Sequence, residues 1–311
     1  MTKDPVPPLE KESWNLAWLH DLSWFEMRFT IIAQHAGEVP RFVGPALHGA
    51  FGHALLRLAN ESPEAQALLD CLQRNQSNCP LSDWTAPYVF EVELTAGGAV
   101  HPGYAIPVRM IAHPRLTSHP AHLPLLLQAL RMAAEAGLGP DPVAFALDGV
   151  VLLPAPQFRP LPDRIEVRPA CYSGKDILRP GTVPRRVRIA FRTPARLVTR
   201  GQLIDRMEGP ILFRRLWQRL KGWYGQHAGD RLHPPSFRMI QTPEDRTHWW
   251  QASRWSSRQS QKLDLSGLVG KVVLEGLDPL AWTLLQVGEH LHVGKGTTCG
   301  LGRYDILDWV A

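Results

Sequence analysis

Residues Asp278 to Val310 read DPLAWTLLQVGEHLHVGKGTTCGLGRYDILDWV. The pattern predicts an amphipathic helix over Asp278 to Leu291, a glycine-rich loop over Val293 to Arg303 and a terminal strand over Tyr304 to Val310. The loop holds Gly294, Gly296, Gly300 and Gly302, with Lys295 inside it and Arg303 just after. Without Cβ atoms, such a backbone can bring its N–H groups close to an anion. A Walker loop and a dinucleotide fingerprint both follow a strand and open a helix. This loop follows a helix and opens a strand, and its spacing fits neither. Glycines at a helix end and a strand start also serve as caps and turns, so both readings stay open.

Moving back from this stretch, Leu268 to Leu274 and His248 to Ser257 read as strands, preceded by an irregular segment through Pro243. Ile211 to Tyr224 reads as a helix, with Leu212, Leu216, Leu220 and Trp223 inward and Arg214, Arg215, Arg219 and Lys221 largely outward. Val187 to Val198 reads as a strand interrupted near Pro194. The first half repeats the order. Trp24 to Ala33 is a strand and Phe42 to Leu58 a helix with Leu47, Phe51, Leu55 and Leu58 on one stripe. Ser62 caps a short helix through Leu72. Tyr88 to Thr95 and Ala105 to His113 are strands, Leu123 to Ala136 is a helix and Val143 to Leu153 a last strand. Each half therefore runs βαββαβ, the split-βαβ pattern. The expected fold is α+β: two tandem ferredoxin-like (RRM-like) domains with a C-terminal glycine-rich loop. An extension over residues 1–22 precedes a first domain over 23–153. A proline- and arginine-rich connection over 154–184 leads to a second domain over 185–311.

The chain has 311 residues, ample for two such domains. No apolar run reaches ~18–20 residues, which excludes a spanning helix. Met1 to Glu12 is polar and proline-rich, with no apolar core of a secretory signal. Cys71, Cys79, Cys171 and Cys299 form no CxxC pair, which points to reduced thiols in a cytoplasm rather than a disulfide frame or a zinc site. Neither a metal nor a cofactor is expected. Charge is segregated: between Pro154 and Leu263 there are 22 Lys and Arg against 8 Asp and Glu, while both flanks are acidic. Arginine in this density suits phosphate, which a planar guanidinium binds in bidentate fashion. An RNA or DNA footprint is one reading; a solvated basic face is the other.

These residues carry a resemblance. The tail HVGKGTTCGLGRYDI resembles the glycine-rich loop that closes RAMP-superfamily proteins. RFVGPALHGAFGHALLRL, Arg41 to Leu58, is similar to the first helix region of the CRISPR pre-crRNA processing endoribonucleases, the Cas six family. The Pro-Tyr-x-Phe-Glu run at Pro87 to Glu91, RWSSRQ at Arg254 to Gln259 and the Gly267-Leu268-Val269-Gly270 step add to it. One departure is His48, at whose place relatives often carry arginine; another is that relatives have more cysteines before the Pro-Tyr step. The resemblance implies an endoribonuclease that cuts CRISPR repeat RNA without a metal and retains the processed crRNA, with other Cas proteins as further partners and no membrane association. The ribose 2′-hydroxyl attacks the adjacent phosphate, which calls for a base, an acid and a cation. A non-catalytic RAMP subunit that binds guide RNA in an effector complex is the alternative.

Histidine titrates closest to neutrality, and the chain has 13. The resemblance puts the catalytic histidine in or near the first helix, which makes His53 the first candidate and His48 the second. Five residues place them about 140° apart on a helix, so they do not share a face. Arg41 and Arg57 are charge stabilisers on the same segment or, as in relatives without the histidine, replacements for it. Gly294, Lys295, Gly296, Gly300, Gly302 and Arg303 are assigned to phosphate. Arg214, Arg215, Arg219, Lys221, Arg254 and Arg258 are assigned to the RNA backbone. Trp249, Trp250 and Trp255 either stack on unpaired bases or belong to the core.

Overall fold

The computed structural model describes residues 17–72, 85–154, 157–159, 169–225, 235–256 and 261–310. The polar N-terminal stretch, Cys79, Arg258 and the side chains of Arg254 and Trp255 lie outside the described residues.

Strand β1 (Ser23–Ala33) shows how the first half is built. Phe25, Met27, Phe29 and Ile31 alternate onto one face and Trp24 turns to the other, as a two-residue side-chain period requires. Helix α1 (Gly44–Ala59) begins with Pro45 in its first turn and buries Leu47, Phe51, Leu55 and Leu58. Helix α2 (Pro63–Leu72) follows, and its Ala65 N–H donates to Ser62 Oγ at 3.1 Å, the expected cap. Strands β2 (Tyr88–Glu91) and β3 (Ala105–Ala112), helix α3 (His122–Glu135) and strand β4 (Phe145–Leu153) complete the half. The sheet is antiparallel in the order β2-β3-β1-β4, extended by Gln157–Arg159.

The second half repeats that order. Strand β5 (Arg186–Ala195), helix α4 (Gly209–Tyr224), strands β6 (Gln241–Trp250) and β7 (Gly267–Glu275), helix α5 (Pro279–Leu291) and strand β8 (Tyr304–Val310) form an antiparallel sheet β6-β7-β5-β8. Two ferredoxin-like units in tandem are thus present, as the pattern predicts. One expectation fails: the stretch around Pro243 is not irregular but the start of β6. Its polar, exposed residues hide it, and Pro243 is tolerated because β6 is an edge strand whose register shifts between Gln241 and Glu244.

Packing proceeds in layers. Helices α1 and α3 cover one face of the first sheet with Leu47, Phe51, Leu126 and Leu130, each worth about 1.5–3 kcal/mol when fully buried. The other face carries Trp24, Val89 and Ile111 into one cluster with Leu216, Leu220 and Trp223 of α4 and Leu284, Leu285 and Leu291 of α5. Trp223 Nε1–H donates to the Ser23 carbonyl at 3.0 Å across this contact. The far face of those helices packs on the second sheet through Ile189, Phe191, Val272 and Ile306. No helix among the described residues is long and apolar enough to cross a membrane.

Candidate active site at the seam of the two units

The C-terminus of α5 and the loop after it are driven into the first unit. Gly44, at the start of α1, packs so tightly on the loop that a Cβ there would stand 2.3 Å from the Cys299 carbonyl oxygen. Gly300, at φ 87°, faces the Phe90 carbonyl oxygen in the same way. Both glycines serve close approach of two backbones. The loop is also stitched to β5: Lys295 N–H donates to the Arg196 carbonyl at 3.0 Å, Gly302 N–H to that of Pro194 at 3.0 Å and Arg303 N–H to Thr193 Oγ1 at 2.9 Å. Gly300 N–H closes the turn on Thr297. The amides of Gly300 and Gly302 therefore point inward, which corrects their assignment to phosphate. The Lys295 side chain stays exposed.

His48 lies one turn beyond Gly44, on nearly the same helix face. Its Nδ1 is 2.9 Å from the Tyr88 hydroxyl, and the two rings sit 5.9 Å apart. Tyr88 opens β2, the strand whose Phe90 carbonyl meets Gly300. The histidine, the tyrosine and the loop thus converge on one seam. His53 does not: nine residues from Gly44, it stands about 180° round the helix and is exposed. The preference for His53 over His48 runs against this placement. Arg41 and Arg57 are exposed, one just before α1 and the other in its last turn.

Residues 189–304 match the family model for CRISPR-associated endoribonuclease Cas6, and a second model, described as an N-terminal domain, covers residues 22–166. The chain matches the Cas6 family in its second unit. No curated protein matches its sequence. Among solved structures it is similar to a Cas6 product complex from Thermus thermophilus, at 15% identity and a TM-score of 0.54 over 92% of this chain and 100% of that one. It is similar also to the partial Cas6-RT-Cas1–Cas2 complex, at 13% identity and a TM-score of 0.51 over 92% of this chain and 46% of the other. At these identities the likeness shows the fold. The family match supports an RNA-cleaving enzyme of CRISPR RNA processing.

Several basic residues of this chain occupy places the sequence reading did not foresee. Arg303 is not open to solvent phosphate: its guanidinium is 2.7 Å from Glu93, 3.6 Å from Glu91 and 3.9 Å from Asp305. Arg219 is 7% exposed, donates to the Leu291 and Ala86 carbonyls at 3.1 and 3.2 Å, and lies over the Trp223 ring. Burial pushes its pKa down to about 9, so it is a structural bolt between the units rather than an outward RNA contact. Arg215 is half-buried and donates to the Val198 carbonyl, while Arg214 is exposed and Lys221 partly so. Trp250 is partly buried and packs edge-on against Phe42, and Trp249 is 40% exposed.

Beside the loop lies a polar cluster that no sequence motif singled out as a site. Glu26 and Glu91 hold Arg109 between them, and Arg109 reaches His290 Nδ1 at 3.2 Å. Burial alone would raise the Glu91 carboxyl, but the hydrogen bond from His292 and the charges of Arg109 and Arg303 outweigh it and hold it at about 2. Burial and the Arg109 charge push His290 down to about 4. Burial likewise lowers His292, with Glu91 opposing. The period-two alternation of β2, which turns Glu91 away from Tyr88 and Phe90, was the one available signal.

Proposed function

We propose that this chain cleaves CRISPR repeat RNA by attack of a ribose 2′-hydroxyl on the adjacent phosphate, without a divalent metal, and keeps hold of the processed crRNA. His48, not His53, is the general acid–base. The observation that carries this is the pairing of His48 with Tyr88 on the face of α1 that meets the glycine-rich loop. Where the Tyr88 oxygen accepts from Nδ1–H, the lone pair sits on Nε2, the form that takes a proton from the attacking hydroxyl. Its conjugate acid can protonate the departing 5′-oxygen. The substrate supplies its own nucleophile, and the Lys295 ammonium is the cation for the developing phosphorane charge. Arg214 and Lys221 extend the phosphate track along α4. A Cas6 structure similar in fold is a product complex, and another is part of an assembly with RT, Cas1 and Cas2; both fit retention of the product and Cas protein partners for this chain.

The test is a cleavage assay on RNA of the CRISPR repeats of the source genome, run in EDTA and with a 2′-deoxy substitution at the scissile nucleotide. Cutting that survives chelation, stops on 2′-deoxy substitution and leaves a cyclic or 3′-phosphate end supports the mechanism. Activity lost in EDTA and restored by magnesium overturns it.

A further inference from the structure

His292 follows α5 and takes φ 59° and ψ 170°, a backbone region that is all but reserved for glycine. Its ring is fully buried. Nδ1 stands 3.2 Å from the Leu301 carbonyl oxygen of the glycine-rich loop, and Nε2 stands 3.4 Å from Glu91 Oε2 on β2. Both neighbours are acceptors. A neutral imidazole has one N–H, which the ionised Glu91 claims because a charged acceptor makes the stronger bond. The other nitrogen then presents a lone pair to Leu301, and only a second proton turns that contact into a hydrogen bond. The ring faces Glu91 on β2 and feels the charge of Arg109 on β3; behind these two stand Glu26 on β1 and His290 of α5, both in contact with Arg109, and Arg303, beside Glu91.

We propose that His292, held by Glu91, is a positioning residue for RNA cleavage: it sets the seat of the glycine-rich loop against His48 and Tyr88. Glu91 and Tyr88 share one four-residue strand, and Leu301 lies within the loop whose Cys299 and Gly300 meet α1 and β2. A strained backbone whose ring bonds Glu91 and faces the Leu301 carbonyl in a buried seam points to placement of the loop, since glycine would serve the chain path better. The inference rests on the cleavage reading above.

Two variants test it in the full chain. His292→Gln keeps a polar side chain, and His292→Gly relieves the backbone, so it is expected to fold even where the first does not. Either should slow single-turnover cleavage about tenfold, the worth of one positioned hydrogen bond, and leave affinity for a 2′-deoxy repeat RNA within about twofold. The ratio of wild-type to variant rates should grow as pH falls through the ring's ionisation, because only the wild type gains the bond to Leu301. Rates equal to wild type, or rate and affinity falling by the same factor, overturn the proposal. If the wild type cleaves no repeat RNA, the cleavage reading has failed. Ring-nitrogen NMR of the unliganded protein then decides the seat by itself. A His292 ring that donates to Glu91 when neutral and to both acceptors in acid supports it; a ring that shows no hydrogen bond to either overturns it.

Discussion

His48 and His53 stand five residues apart on one helix, and that spacing makes each the control for the other. His48→Ala should slow cleavage of the cognate repeat by ~10²-fold or more, the usual worth of a positioned acid or base, with RNA affinity changed only a few-fold. His53→Ala, on the exposed back of α1, should cut at close to the wild-type rate. The opposite pattern in a single-turnover assay would return the role to His53. The loop cations should also separate. Lys295→Ala should slow cleavage and also weaken RNA binding by roughly 1–3 kcal/mol, since its exposed ammonium is assigned to the scissile phosphate. Arg303→Ala should act on stability instead, because it removes one of the two guanidinium partners of Glu91, a carboxylate whose side chain is 10% exposed. Urea midpoints and filter binding on the two variants tell these effects apart, and equal losses of affinity with unchanged midpoints would contradict the placement of Arg303.

At the level of elements, α1 offers two glycines with opposite expectations. A methyl at Gly44 would collide with the Cys299 carbonyl, whereas one at Gly52 meets nothing within 4 Å. Gly44→Ala should therefore cost about 1–3 kcal/mol through forced separation of helix and loop, and cleavage should fall with it. Gly52→Ala should stabilise by about 0.4–1 kcal/mol, since a mid-helix glycine gives up backbone entropy. Chemical unfolding of both proteins is the check, and a tolerated Gly44→Ala with wild-type cleavage would show that the seam is not tight. The helices and buried strands were legible because their apolar periods are strong, and β8 matches its expected bounds residue for residue. Strand β6 was missed in part because an edge strand with an open face carries little apolar signal. Arg219 was misread although a clue existed. It lies seven residues after Leu212, on the same helical stripe, so the periodicity itself placed it inward. The pairing of Glu91 with Arg303 and His292 had no such clue, for it joins residues some two hundred positions apart.

Across the whole molecule, the joint between the two units is where folding and proton binding meet. His290 titrates at about 4 in the folded chain against an ordinary 6.5, so the unfolded chain binds that proton more readily. Its contribution is complete above pH 6.5 and is lost as pH falls from there to about 4. Glu91, held at about 2 against an ordinary 4.5, adds a second loss that begins near 4.5 and runs towards 2. Each shift corresponds to ~3 kcal/mol at most, and because Arg109 touches both groups the two do not add independently. Stability measured by urea unfolding should therefore fall between pH 7 and pH 4.5 even though Glu91 has not yet begun to take up a proton. His290→Gln, whose amide oxygen can still accept from Arg109, should flatten that first decline and leave the steeper one below pH 4.5 in place. Glu91→Gln should do the reverse, at the cost of lower stability near neutrality. If His290→Gln follows the wild-type curve throughout, the His290 imidazole is not the proton acceptor that opens the seam, and the acid response must come from His292, which burial also lowers, or from groups elsewhere in the fold.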